Sequence, residues 1–199
     1  MGKPMRRPSI LLAVIAGVLL TWITFNSLAT ESPGSRGLQA GAELPPFAMP
    51  LSTSRCRGPC DANVATEPGQ GAAGARPACS VRGRDILNVC ELAEGGPFVL
   101  AFVFHPVARC RAQIPLLERV AARHRDVEFR IVAVRADAGQ ARSLRSSLPV
   151  GYDHDGAVAN KYAVVVCPTI TYVARGGRVQ GSTVGEVPES EVEAWVRRL

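Results

Sequence analysis

The 199-residue sequence predicts an α/β domain, a central mixed β-sheet flanked by helices, preceded by one N-terminal transmembrane helix. Three observations carry that prediction. An uncharged run from Ile10 to Phe25 follows a basic leader. A continuous apolar stretch, Phe98 to Phe104 (FVLAFVF), has the character of a strand buried on both faces. From Gly96 onward, strand-like and helix-like segments alternate through short connections, the pattern of a sheet covered by helices on both sides.

The elements follow in order. Residues 1–8 form a short tail carrying Lys3, Arg6 and Arg7, and residues 9–29 supply about the 20 residues needed to cross a hydrocarbon core, with Trp22 near the far interface. Positive charge before the span places the tail in the cytoplasm and everything after Thr30 outside it. The expected location is therefore the cell membrane, single-pass, with an extracytoplasmic C-terminal domain. The alternative is secretion after cleavage of a signal peptide, because Ser27-Leu28-Ala29 has the small-x-small pattern of a cleavage site. Residues 30–41, rich in Pro, Gly and Ser, read as a linker.

Residues 42–199 form the folded domain, with an irregular cysteine-containing insertion at 52–95. Within the insertion, Asp85 to Ala93 is expected to make a helical turn or two. After the Phe98–Phe104 strand, Arg109 to His124 places Ile114, Leu117, Val120 and Ala121 at helical spacing. Glu128 to Arg135 is a strand, and Asp137 to Leu148 is a helix opening on an aspartate cap. Asp155 to Ala163 is a short helix. Thr169 to Ala174 and Arg178 to Val184 are strands joined at Gly176-Gly177, a hairpin signal, and Pro188 to Leu199 closes the chain as a helix.

Composition excludes several function classes. The chain is 47% hydrophobic and 20% charged, as for one ordinary domain plus an appendage. The formal charge is +6, but three basic residues sit in the leader and the others are scattered among the carboxylates, so no nucleic-acid surface is expected. All six cysteines (Cys56, Cys60, Cys79, Cys90, Cys110 and Cys167) lie beyond the apolar span, as suits pairing in an oxidising compartment. Six cysteines allow 15 complete pairings, and sequence alone does not choose among them; the local pairs Cys56–Cys60 and Cys79–Cys90 are preferred for bracing the insertion. The spacings lack paired C-x-x-C knuckles, so no metal is expected, and no cofactor either.

Three stretches together resemble a known family. GPFVLAFVFHPVARCRAQIPLLERV is similar to the strand-loop-helix of thioredoxin-like proteins, with Pro115 at the position of their helix kink. YDHDGAVANKYAVVVCPTITYV is similar to the exported thiol-disulfide reductases and redoxins of that fold, with Pro168 at their cis-proline. AGAELPPFAMPL resembles the opening of redoxin domains. The resemblance covers residues 40–199. It implies a thioredoxin-like fold of the redoxin type, which includes alkyl hydroperoxide reductases, and an activity of thiol-disulfide exchange with extracytoplasmic protein thiols or disulfides.

One departure bears on that activity. The family's Trp-Cys-x-x-Cys falls on Pro106, Val107, Ala108, Arg109 and Cys110, so valine stands where the attacking thiol belongs. On the resemblance, Cys110 occupies the resolving position and Cys167 directly precedes the cis-proline, which brings the two within possible reach as a Cys110–Cys167 bond. The catalytic candidates are Cys110 and Cys167, with His105, Pro106, Val107, Ala108, Arg109 and Pro168 as the surrounding site. His105 is placed to serve Cys110 as a general base or proton donor; a partly exposed histidine without that role is the plainer reading.

Two alternatives from other classes stand beside this one. The first is a redox-inactive thioredoxin-like binding or scaffold module, with Cys110–Cys167 as a structural staple. The second is a peroxiredoxin-like peroxidase using Cys110, although the Pro-x-x-x-Thr-x-x-Cys pattern of that family is missing. Cys56-Arg57-Gly58-Pro59-Cys60 resembles Cys-Gly-Pro-Cys with one residue inserted, but it lies in a loop with no helix N-terminus to activate a thiol.

Overall fold

The structure is a computed structural model that describes residues 7–29, 36–55 and 76–199. It divides into two units, residues 1–32 and 33–199. The first contains α1 (Arg7–Ala29), 23 residues, about 34 Å at the helical rise per residue. Its side chains are described over residues 12–24, all exposed, a stretch shorter than a bilayer crossing. Among the described residues no helix is long and apolar enough to cross a membrane, and the span expected over 9–29 extends past the described side chains at both ends.

The second unit is the expected mixed sheet with helices on both faces. Its strands are β3 (Phe98–Phe104), β4 (Glu128–Val134), β5 (Val150–Asp153), β6 (Thr169–Ala174) and β7 (Arg178–Val184), ordered β5-β4-β3-β6-β7. β3, β4 and β5 are parallel, β6 is antiparallel to β3, and β7 is antiparallel to β6. A separate antiparallel pair, β1 (Ala48–Pro50) and β2 (Ile86–Asn88), precedes them. The helices are α2 (Val89–Gly95), α3 (Ala108–Ala112), α4 (Ile114–Arg123), α5 (Ala138–Arg142), α6 (Ala157–Lys161) and α7 (Glu189–Val196).

β3 explains its own sequence. Val99, Ala101 and Val103 enter one core with Ile114, Leu117 and Val120 of α4 and Val192 and Val196 of α7. Phe98, Leu100 and Phe102 enter the opposite core with Phe47, Met49, Val158 and Tyr162. A central strand with helices on both sides has no face to leave polar, so its apolar run is continuous. α7 is fastened to α4 by Arg119–Glu189 at 2.8 Å, Arg123–Glu193 at 2.6 Å and His124–Glu193 at 2.7 Å, and Trp195 stacks on Tyr172 with ring centroids 5.1 Å apart.

The structure corrects several boundaries. The single helix expected over Arg109 to His124 is two, α3 and α4, broken at Gln113 ahead of Pro115. The helix expected to Leu148 stops at Arg142: Asp137 and Gln140 form its capping box, but Arg145 adopts φ 53° and the Ser147 N–H turns to Glu118 Oε1 at 2.6 Å. That turn delivers β5, which the sequence does not predict because VGYD is short and contains a glycine. Gly151 is required there: a Cβ would lie 2.7 Å from Met49 Sδ, where the β1–β2 pair packs on the main sheet.

Asp85 to Ala93 divides into β2 and α2, with Asn88 at the joint. This buried side chain accepts the Cys90 and Glu91 N–H groups at 2.8 and 3.2 Å, and donates to the Ala78 and Val81 carbonyls at 3.0 and 2.9 Å. The Cys79–Cys90 disulfide spans the same junction with its Cα atoms 5.5 Å apart. Cys56 and Cys60 lie outside the described residues. Part of the stretch read as a linker lies against β7: Gly41 N–H donates to the Val179 carbonyl at 2.8 Å and Ser182 Oγ to the Leu38 carbonyl at 2.9 Å.

Candidate functional site

β3 ends at Phe104, and its antiparallel neighbour β6 begins at Thr169. The register pairs Phe102 with Thr169, and carrying it two residues further sets Phe104 opposite Cys167. The chain leaves β3 through His105 and Pro106 into α3, which carries Cys110. Two sequence-distant cysteines therefore converge beyond the C-terminal end of a parallel strand, where open α/β sheets place their sites.

Cys110 and Cys167 are joined by a disulfide with Cα atoms 5.5 Å apart, inside the range that side chains can bridge. Their surroundings differ. Cys110 is fully buried in the core between β3 and α4, whereas Cys167 is partly exposed. Cys167 Sγ accepts the Phe104 N–H at 3.2 Å. The Cys167–Pro168 peptide is cis, and so is His105–Pro106. Pro168 is buried, and its carbonyl accepts the Gly185 N–H at 2.8 Å.

The other site residues surround this bond. Pro106, Ala108 and Arg109 are exposed, and Val107 is 39% exposed. His105 is partly buried, and among the described residues nothing hydrogen-bonds its Nδ1. Val165 and Val166, in the loop just before Cys167, are 68% and 42% exposed. With Val107 they are the exposed large apolar residues described outside α1, and all three lie within three residues of a bonded cysteine. A Val-Val-Val run has the composition of core, so composition gives Val165 and Val166 no mark of exposure. The available signal was its place between a helix end at Tyr162 and a cis-proline.

A cleft of about 430 Å³ adjoins the loop, lined by Phe104, Arg135, Asp155, Asn160, Val164 and Val165. Beneath α6, the fully buried Asp153 accepts the Ala159 N–H at 2.8 Å and the Val158 N–H at 3.3 Å. Burial pushes its carboxyl up to about 6, and the nearby Asp155 adds to the rise. Among the described residues no group of His, Cys, Asp or Glu could hold a metal ion.

A βαβ unit, an antiparallel hairpin and a cis-proline facing a cysteine-bearing helix make this a thioredoxin-like domain. No family model and no curated protein matches the chain. Among solved structures, a protein described as a thiol:disulfide interchange protein DsbE from Chlorobium tepidum superposes with a TM-score of 0.61 at 19% identity, covering 81% of this chain and 97% of that one. A secreted Mycobacterium tuberculosis disulfide oxidoreductase homologous to Escherichia coli DsbE gives a TM-score of 0.52 at 26% identity, covering 57% and 89%. The peroxidoxin BcpB of M. tuberculosis gives 0.57 at 13%, covering 81% and 98%. These likenesses show a thioredoxin-like fold.

Proposed function

We propose that this chain is a membrane-anchored, extracytoplasmic thiol-disulfide oxidoreductase whose redox couple is Cys110–Cys167. The observation that carries this reading is the position of that bond: it ties the resolving position of the thioredoxin-like helix to the residue before the cis-proline, with Val107, Val165 and Val166 exposed around it. Partners are extracytoplasmic protein thiols or disulfides, which would dock on the three valines and exchange with the couple. The anchor is supported by the length of α1, the absence of charge from Ile10 to Phe25, and the basic residues before it.

A second reading is a redox-inactive binding module stapled by the same bond. It is favoured by Val107, which cannot attack a disulfide, and by the complete burial of Cys110. Differential alkylation of the native full chain, before and after mild dithiothreitol, separates the two. The oxidoreductase opens Cys110–Cys167 while folded, and Cys110→Ser abolishes its reduction of insulin; a bond that resists until denaturation, or unchanged insulin reduction, refutes the couple. Retention in the membrane pellet after alkaline extraction is the outcome expected for the anchor, and release into the supernatant refutes it.

A further inference from the structure

We propose that Cys167, rather than the helix cysteine, is the sulfur that exchanges with the partner, and that Cys110 resolves. The inference rests on Cys110–Cys167 being a redox couple and assigns the two ends of that couple different roles. Thioredoxin-like helices usually carry the exchanging thiol at the position held here by Val107; moving the role to Cys167 puts it on the cis-proline loop.

Three observations carry the assignment. Thiol–disulfide exchange needs the incoming thiolate to reach one sulfur in line with the bond that breaks, so access selects the sulfur attacked. Cys110 is fully buried among apolar side chains of β3 and α4, and Cys167 is partly exposed. The Phe104 N–H points at Cys167 Sγ from 3.2 Å, a fixed donor that steadies negative charge on that sulfur whenever the bond is open. Finally, Val165 and Val166 lie immediately before Cys167, so a chain docked on that apolar loop brings its own sulfur to Cys167 first.

The oxidising half-reaction balances as follows. A thiolate of a partner dithiol attacks Cys167 Sγ; a partner–Cys167 bond forms, the Cys110–Cys167 bond breaks, and Cys110 leaves as a thiolate that takes up a proton. The partner's second thiolate then attacks the partner sulfur of the mixed disulfide and expels Cys167. Two electrons pass to the couple and the partner becomes a disulfide. In reverse, the Cys167 thiolate attacks a partner disulfide, and Cys110 then attacks Cys167 Sγ to release the reduced partner.

Mass mapping of the mixed disulfide tests this in the wild-type full chain. The native protein is treated with excess reduced glutathione, quenched with N-ethylmaleimide, and mapped for the glutathione adduct. At least tenfold more adduct on Cys167 than on Cys110 is expected; equal amounts, or an excess on Cys110, overturn the assignment. As a second measurement, the Cys167 thiol of Cys110→Ser should react with 5,5′-dithiobis(2-nitrobenzoic acid) at least tenfold faster than the Cys110 thiol of Cys167→Ser, and equal or reversed rates overturn it as well. Failure of the couple itself reads differently: a native bond that glutathione and dithiothreitol leave closed, with no adduct on either cysteine, refutes the oxidoreductase reading and this assignment with it.

Discussion

Removing the Cys110–Cys167 bond has a magnitude that follows from where it lies in the chain. The two residues are 57 apart, and closing a loop of that size in the unfolded chain removes entropy worth about 4 kcal/mol at 25 °C; the Cys79–Cys90 loop, with a separation of 11, is worth about 3 kcal/mol. The perturbation is Cys110→Ala combined with Cys167→Ala, which opens the long loop and leaves the short one closed. Urea unfolding of the full chain in detergent micelles, followed through the fluorescence of Trp195 stacked on Tyr172, reads the change. With a denaturant slope of roughly 2 kcal/mol per molar, the midpoint should fall by about 2 M. A fall below about 0.5 M refutes the loop-closure reasoning. A domain already unfolded without urea refutes the oxidoreductase, because a couple that opens in every turnover must leave a folded protein behind.

Other perturbations reach separate parts of the structure. Asp153 titrates at about 6 in the fold against an ordinary 3.8, chiefly because it is buried, so its protonated form favours folding: that contribution is complete below about pH 3.8 and is lost as pH rises through 6, a change of about 3 kcal/mol. The urea midpoint should therefore decline between about pH 4 and 6.5 in the wild type and stay level in Asp153→Asn; a decline that persists in the variant refutes the assignment. Gly151→Ala drives a methyl to 2.7 Å from Met49 Sδ and 3.0 Å from Leu87 Cδ1, an overpacking cost of about 1–3 kcal/mol that a lowered melting temperature would register and an unchanged one would rule out. Val107→Cys puts a thiol three residues before Cys110 on the exposed face of the site and should raise insulin reduction at least tenfold; no gain rejects the register that sets Val107 at the exchanging position.

The sheet and its helices were legible wherever burial imposes a pattern. Phe98–Phe104 shows its two-sided burial in composition alone, and the Gly176-Gly177 turn marks the β6–β7 hairpin because both glycines adopt positive φ, 80° and 82°. β5 was not legible: four residues with a glycine give too short a pattern, and its place depends on the parallel neighbour β4 and on Met49 packing over Gly151. The early end of α5 follows from the Glu118 contact with Ser147, which pairs residues 29 apart and has no local signature. In the site, sequence supplied the cysteines and, through family resemblance, the proline. It could not supply the different exposure of the two sulfurs or the Phe104 N–H aimed at one of them, since both depend on how β3 and β6 lie together.

That strand pairing explains how the exchanging position can leave the helix without leaving the site. β3 delivers the chain to α3, and β6 begins directly opposite, so the helix that carries Cys110 and the residue before the cis-proline meet at the Cys110–Cys167 bond. In the proposed couple valine stands at the helix position and the exchanging sulfur stands on the loop, at the same junction of β3 and β6. The exposed valines bear on the choice between a staple and a couple. A staple gains nothing from Val107, Val165 and Val166 in water beside it, and exposed apolar side chains next to the bond suit a surface that a partner covers. For a couple, the same valines are what a partner chain meets before its sulfur reaches Cys167, so the cost of leaving them exposed falls where docking would offset it. A bare staple accounts for the bond alone, whereas the oxidoreductase and the stapled binding module each give the valines a partner, so opening of the native bond by mild reductant is what separates those two.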